Sequence, residues 1–233
     1  MALPKLDAPR YEMTVPSTQE KVVYRPYLVK EEKILMMALE SQDDKQMVRA
    51  LKDVIKSCTE GSVNVDNLAM FDLEYIFIQL RAKSAGESTK ISIKCKECET
   101  KNDVVISLED VSVKNLSKKE HKIKLTDDYV LVMKYPSVND LLNAQTKNDA
   151  DTMLDVVASC IDSLHTSDEV FDMKEQSKAE IKEFIESLNS EQFSKIKDFL
   201  EGMPSAQSDI NFNCENCGTT NEHIVKGLAN FFG

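Results

Sequence analysis

Glycine and histidine are scarce in this chain, at six and three copies. No glycine-rich run is present to cradle phosphates, and no His-Glu-x-x-His pair to hold a catalytic metal. His121 lies in a lysine-rich, strand-like run and His165 at the end of a predicted helix, with no Ser or Cys partner indicated for either. Long apolar runs are missing too. No window reaches 18 uninterrupted apolar residues, which excludes a helical membrane span. Residues Met1 to Asp7 carry neither the basic nor the apolar region of a signal peptide, so a cytosol is the expected compartment. Positive charge is in deficit: 29 Lys and Arg against 40 Asp and Glu leave a net charge of −11. That balance opposes a nucleic-acid backbone as main partner. Acid pairs such as Asp43-Asp44, Asp127-Asp128 and Asp168-Glu169 fall at turns and helix starts, where capping and solvation account for them. No enzyme is expected.

What the chain does have is a repeat. Ile91–Ile106 and Ile210–Val225 match when their Cys-x-x-Cys pairs are superposed. Ile91 then falls on Ile210, Ile93 on Phe212, Thr100 on Thr219, Asn102 on Asn221, and Val105-Ile106 on Ile224-Val225. Each copy reads as an alternating strand, a cysteine corner, a polar turn and a second apolar strand. This is the layout of a zinc knuckle. One knuckle supplies two thiolates, and a closed tetrahedral site needs four. Cys95, Cys98, Cys214 and Cys217 are therefore the expected ligands of one structural zinc. Four thiolates leave no open position for substrate. About 115 residues separate Cys98 from Cys214, against roughly 15–20 in the usual ribbon pattern. Such an interval requires the intervening chain to fold as its own unit, although closure entropy grows slowly with length. Metal shared between two chains, two pairs of metal-free thiols, and iron in place of zinc stand as alternatives. His223 is a possible substitute ligand, but it aligns with Val104, a strand position. Gly218 suits a corner with positive φ, and Glu99 in the equivalent place suits it less.

At 233 residues and 42% hydrophobic content the chain can hold one large domain or two small ones. Residues 1–28 form an extended proline-rich arm with a short strand around Lys21–Tyr24, packed on its own domain or on a partner. Residues 29–85 read as helices: Val29–Leu39, a second capped by Asp43 or Asp44, and a third from Asp66 to about Arg81. Residues 86–135 hold the first knuckle and a hairpin, His121–Leu125 with Tyr129–Met133, expected beside Asp103–Leu108. Residues 136–204 read as a helical insertion, with helices from Ser137, over Asp151–Leu164, over Ser177–Leu188 and from Ser190 to Met203. Cys58 and Cys160 fall on apolar stripes and read as buried free thiols. Residues 205–233 hold the second knuckle and an aromatic tail, in which Phe231 and Phe232 either fold back on the ribbon or anchor a partner. The expected fold class is α+β: a helical bundle packed with a small antiparallel sheet and a split four-cysteine zinc ribbon formed by two distant knuckle hairpins.

Several blocks of the N-terminal half resemble one protein family. They are Leu3-Pro4-Lys5-Leu6, Val15-Pro16-Ser17-Thr18, Tyr24-Arg25-Pro26-Tyr27-Leu28-Val29-Lys30-Glu31-Glu32-Lys33 and Phe71-Asp72-Leu73-Glu74-Tyr75. These are similar to the baseplate hub assembly proteins of T-even-like contractile-tailed bacteriophages. The resemblance covers roughly residues 3 to 110 well and the helical insertion poorly. It implies a protein of the host bacterial cytoplasm, or of the virion tail baseplate, that binds other hub proteins as chaperone or hub subunit. It implies no catalytic site. Tyr24, Arg25, Pro26, Tyr27, Leu28, Phe231 and Phe232 are the candidate partner contacts. The competing function is a nucleic-acid-binding zinc-ribbon regulator.

Overall fold

The computed structural model describes residues 6–116, 121–144, 149–227 and 231. The chain folds as two compact units. One comprises residues up to Lys114 together with those from Ser205 onward; the other is Asn115–Pro204. Helices and small antiparallel sheets make up both, as α+β requires.

The discontinuous unit opens with a hairpin of β1 (Tyr11–Thr14) and β2 (Lys21–Tyr24). Alternation of Val22 and Tyr24 with exposed neighbours turns one face of β2 inward. Three helices follow: α1 (Val29–Ser41), α2 (Asp44–Cys58) and α3 (Met70–Ala85). Asp43 caps α2 by accepting from the N–H groups of Lys45 and Gln46. The third helix starts at Met70 and not at Asp66, because residues 66 to 69 are spent on a turn. It is the central helix: Phe71, Leu73, Ile76, Phe77, Ile78, Leu80 and Ala82 are all buried, so it has apolar partners on most sides.

The knuckles are hairpins of β3 (Ser88–Lys94) with β4 (Lys101–Ser107), and of β10 (Ser205–Asn213) with β11 (Thr220–Lys226). A short strand, β5 (Ser112–Lys114), pairs antiparallel with the start of β10, placing Lys114 opposite Ser205. The chain therefore leaves this unit and returns to it on neighbouring strands. Ile78 and Ala82 of α3 pack with Ile106, Leu108, Val111, Ala206, Ile210, Val225 and Phe231 into one core.

The inserted unit has its own core. A four-stranded antiparallel sheet runs in the order β6 (His121–Lys124), β7 (Val130–Met133), β8 (Ile161–His165), β9 (Val170–Asp172). Leu131, Met133, Ile161 and Leu164 of that sheet pack with Val157 of α5 (Asp149–Cys160), Ile181 and Ile185 of α6 (Lys178–Glu186), and Ile196 of α7 (Ser190–Glu201). Preceding these is α4 (Val138–Ala144), entered through Ser137, whose hydroxyl accepts from Asp140 N–H.

Three further expectations change here. The β6/β7 hairpin pairs with β8 rather than lying beside Asp103–Leu108, so the insertion begins near residue 115 instead of 136. The helix expected over Asp151–Leu164 stops at Cys160, where Lys134 N–H takes its carbonyl at 2.7 Å and the chain continues as β8. Asn189, not Ser190, caps α7.

Candidate metal centre

The two cysteine corners share the same backbone hydrogen bonds. In the first, Cys95 N–H donates to Thr100 O at 2.9 Å and Glu99 N–H to Cys95 O at 3.1 Å. In the second, Cys214 N–H donates to Thr219 O and Gly218 N–H to Cys214 O, both at 2.9 Å. The turn closes through a left-handed residue in each: Glu99 at φ 56° and Gly218 at φ 73°. Glycine adopts that conformation freely and glutamate does not.

This corner aims all four thiols one way. The four Sγ atoms lie within 4.8 Å of one another. The close approaches run across the knuckles, Cys95 to Cys217 at 3.7 Å and Cys98 to Cys214 at 3.6 Å. The leading cysteines, Cys95 and Cys214, are buried, Cys98 is half-buried and Cys217 is exposed. Thr100 Oγ1 lies 3.3 Å from Cys98 Sγ, and Thr219 Oγ1 lies 3.4 Å from Cys217 Sγ.

Two asparagines lock the pair together. Asn102 Oδ1 accepts from Glu215 N–H, and Asn221 Oδ1 accepts from Lys96 N–H, both at 2.9 Å. Each Asn thus binds the residue that follows the opposite knuckle's leading cysteine. Their Nδ2 groups donate to Thr100 O at 2.8 Å and Thr219 O at 2.9 Å, tying down their own turns. Both side chains are buried, where a polar group needs such partners. The exchange is reciprocal, so the two hairpins are related by a local pseudo-twofold axis. The symmetry is not complete: Asn221 Nδ2 also donates to Cys95 Sγ at 3.5 Å, and Lys96 Nζ donates to Glu222 O at 2.6 Å.

These surroundings favour thiolate at two positions. Hydrogen bonds from the hydroxyl and N–H of Thr100, with Asn216 beside them, lower the Cys98 thiol to about 6. The N–H groups of Cys98 and Glu97, and the Asn221 amide, lower Cys95. Cys58 and Cys160, outside the cluster, are of a different kind. Burial raises Cys58 to about 11 and Cys160 to about 12, which keeps both as inert core thiols. His223 stays out of the cluster, its ring stacked on Phe212 at 5.8 Å. Sequence reasoning aligned Asn102 with Asn221 but assigned neither a role; an identical residue at matched positions was the available signal.

Of its two alternatives, the arm takes packing on its own unit. Tyr24 and Pro26 are buried. Arg25 donates to Glu31 Oε1 at 2.8 Å and to Ser57 Oγ at 3.0 Å, while Ser57 Oγ donates to the same Glu31 oxygen at 2.8 Å. Glu31 Oε2 accepts from Leu28 N–H, opening α1. Tyr27 N–H donates to Ser84 Oγ, and its ring stacks on Phe77 at 6.4 Å. This run is a clasp holding the arm onto α1, α2 and α3, and only Leu28 keeps substantial exposure. Phe231 is 1% exposed and takes the fold-back alternative, its ring spent on the core instead of a partner. Phe232 lies outside the described residues. Among the described residues, α1 carries a group of exposed apolar side chains, with Val29, Met36 and Met37 at 79%, 57% and 61%; Leu6, Val23 and Val105 are exposed elsewhere in the same unit.

His165 also differs from its expected setting. It sits on β8, with Nε2 3.0 Å from Ser163 Oγ.

The chain belongs to the T4 bacteriophage base plate protein family, which matches residues 8–233. It is 26% identical over 183 residues to the baseplate hub assembly protein gp26 of Enterobacteria phage T4, across 78% of this chain and 79% of that relative. No solved structure matches the chain. Among the described residues no helix is long and apolar enough to cross a membrane.

Proposed function

We propose that this protein is a non-enzymatic factor in building the central hub of a phage tail baseplate, where it binds other hub proteins. It acts as an assembly chaperone or as a hub subunit, in the host cytoplasm during morphogenesis and at the tail baseplate if it is retained. Family membership over residues 8–233 carries this reading, and the likeness to a protein described as a baseplate hub assembly protein directs it to the hub.

The contact surface assigned by this reading is the outward face of α1, with Leu28, Val29, Met36 and Met37. Flexible methionines next to β-branched and leucine side chains suit a surface that repacks against a partner. Tyr24, Arg25, Pro26 and Tyr27 serve it indirectly, by fixing where α1 begins. The test is co-purification from infected cells, read by mass spectrometry. Met36→Asp combined with Met37→Asp changes two exposed side chains, so the fold should persist while hub proteins are recovered at least about tenfold less. Undiminished recovery would remove α1 as the contact face. Failure of the wild-type chain to recover any baseplate protein would remove the reading itself. Mass spectrometry of finished particles separates subunit from chaperone.

A further inference from the structure

We propose that Cys95, Cys98, Cys214 and Cys217 hold one Zn2+ ion, and that Asn102 and Asn221 are positioning residues that set how tightly it is held. The donor set selects the class of ion. Four sulfurs with no carboxylate among them suit zinc or iron and reject the oxygen-seeking cations. Size agrees: metal–sulfur bonds of about 2.3 Å in a tetrahedron give sulfur–sulfur edges of about 3.8 Å. Two edges here measure 3.6 and 3.7 Å, and none exceeds 4.8 Å. Pairwise disulfides would bring sulfurs together two by two, which gives no reason for all four to converge. Zinc is preferred over iron because the protein fills every position and a closed staple gains nothing from electron transfer.

The asparagines explain how half-sites 116 positions apart find one geometry. Each fixes the opposite corner through a backbone N–H and its own turn through a carbonyl, so the knuckles are registered before any sulfur is considered. Residues that orient metal ligands in this way typically change affinity by roughly 10–100-fold when removed. The asymmetry ranks them. Asn221 touches Cys95 Sγ as well as the opposite backbone, so Asn221→Ala weakens zinc more than Asn102→Ala does.

The experiment uses the full chain, expressed with both metals available. Elemental analysis should find one zinc per chain, and cobalt exchanged into the site should give the intense visible spectrum of tetrahedral tetrathiolate coordination. Competition with a chromogenic chelator should show Asn221→Ala binding zinc roughly 10–100-fold more weakly, with far-ultraviolet circular dichroism unchanged. Should that variant not fold, Asn221→Ser carries the same readout. Cys217→Ser, at the exposed corner, should lose the cobalt spectrum. Iron in place of zinc overturns the choice of metal. Four freely titrating thiols with no bound metal, or disulfides in protein kept under reductant, overturn the site. An Asn221 variant that melts earlier yet holds zinc as tightly as wild type overturns the positioning role. None of these readouts depends on hub binding, so the site and the assembly function stand or fall separately.

Discussion

Two carboxylates of the N-terminal half lie out of reach of water, Glu31 at 2% and Asp72 at 0% exposure. Burial works against the charge of Glu31, but Arg25, Leu28 N–H and Ser57 outweigh it and hold the carboxyl at about 2, against an ordinary 4.5. The stabilisation is complete above pH 4.5 and is lost as pH falls through about 2. At about 1.4 kcal/mol per tenfold change in proton affinity, it amounts to about 3 kcal/mol. Asp72 behaves oppositely. Burial raises its affinity for a proton, only partly offset by Ser17 N–H donating to Oδ1 at 3.0 Å, and Oδ2 has no partner. Its contribution therefore declines as pH rises above 3.8. Urea titrations across pH should show Glu31→Gln flattening the acid limb, and Asp72→Asn raising stability at neutral pH because a buried amide costs less than a buried carboxylate. A third position is the strained corner. Glu99→Gly should stabilise the first knuckle by roughly 0.5–1 kcal/mol, since its φ of 56° suits glycine.

At the scale of elements, what could be read from the chain depended on whether local pattern and tertiary pairing agreed. The knuckles were legible because corner, strands and turn recur in two places. The helix α2 was legible because Asp43 and its apolar stripe point to the same boundaries. The strand β8 was not: Ile161 and Leu164 continue the helical stripe of Val157 and Cys160, and only pairing with β7 and β9 decides for a strand. The arm stayed open between its own domain and a partner for another reason. A run dense in proline and aromatics looks like a docking segment until Glu31, Ser57 and Ser84 are seen to hold it. Capping gives a sharp check on α7. Asn189 Oδ1 accepts from Gln192 N–H, and Gln192 Oε1 accepts from Asn189 N–H. Asn189→Ala should cost about 1 kcal/mol in chemical denaturation and Ser190→Ala almost nothing.

For the whole molecule, the decisive observation is that Lys114 and Ser205 face each other on paired strands. An excursion anchored on two adjacent strands need not disturb the sheet it leaves. Replacing residues 115–204 by Asn-Gly should therefore join β5 to β10 as a tight hairpin. The shortened protein should stay folded, retain Asn102 and Asn221 in their exchange, and bind one zinc, as measured by circular dichroism and elemental analysis. A collapsed or metal-free product would mean that the inserted unit supports the ribbon. The converse piece, residues 115–204, has its own buried cluster and should unfold cooperatively alone.

The distance along the chain between the half-sites also imposes an order of events during synthesis. At roughly 5–20 residues per second, the ribosome needs on the order of ten seconds to travel from Cys98 to Cys214, 116 positions later. Through that delay the nascent chain displays one unfinished corner, with its thiols open to oxidants and competing metals. Asn115–Pro204 has by then been made in full, so the inserted unit is complete before the unit that flanks it.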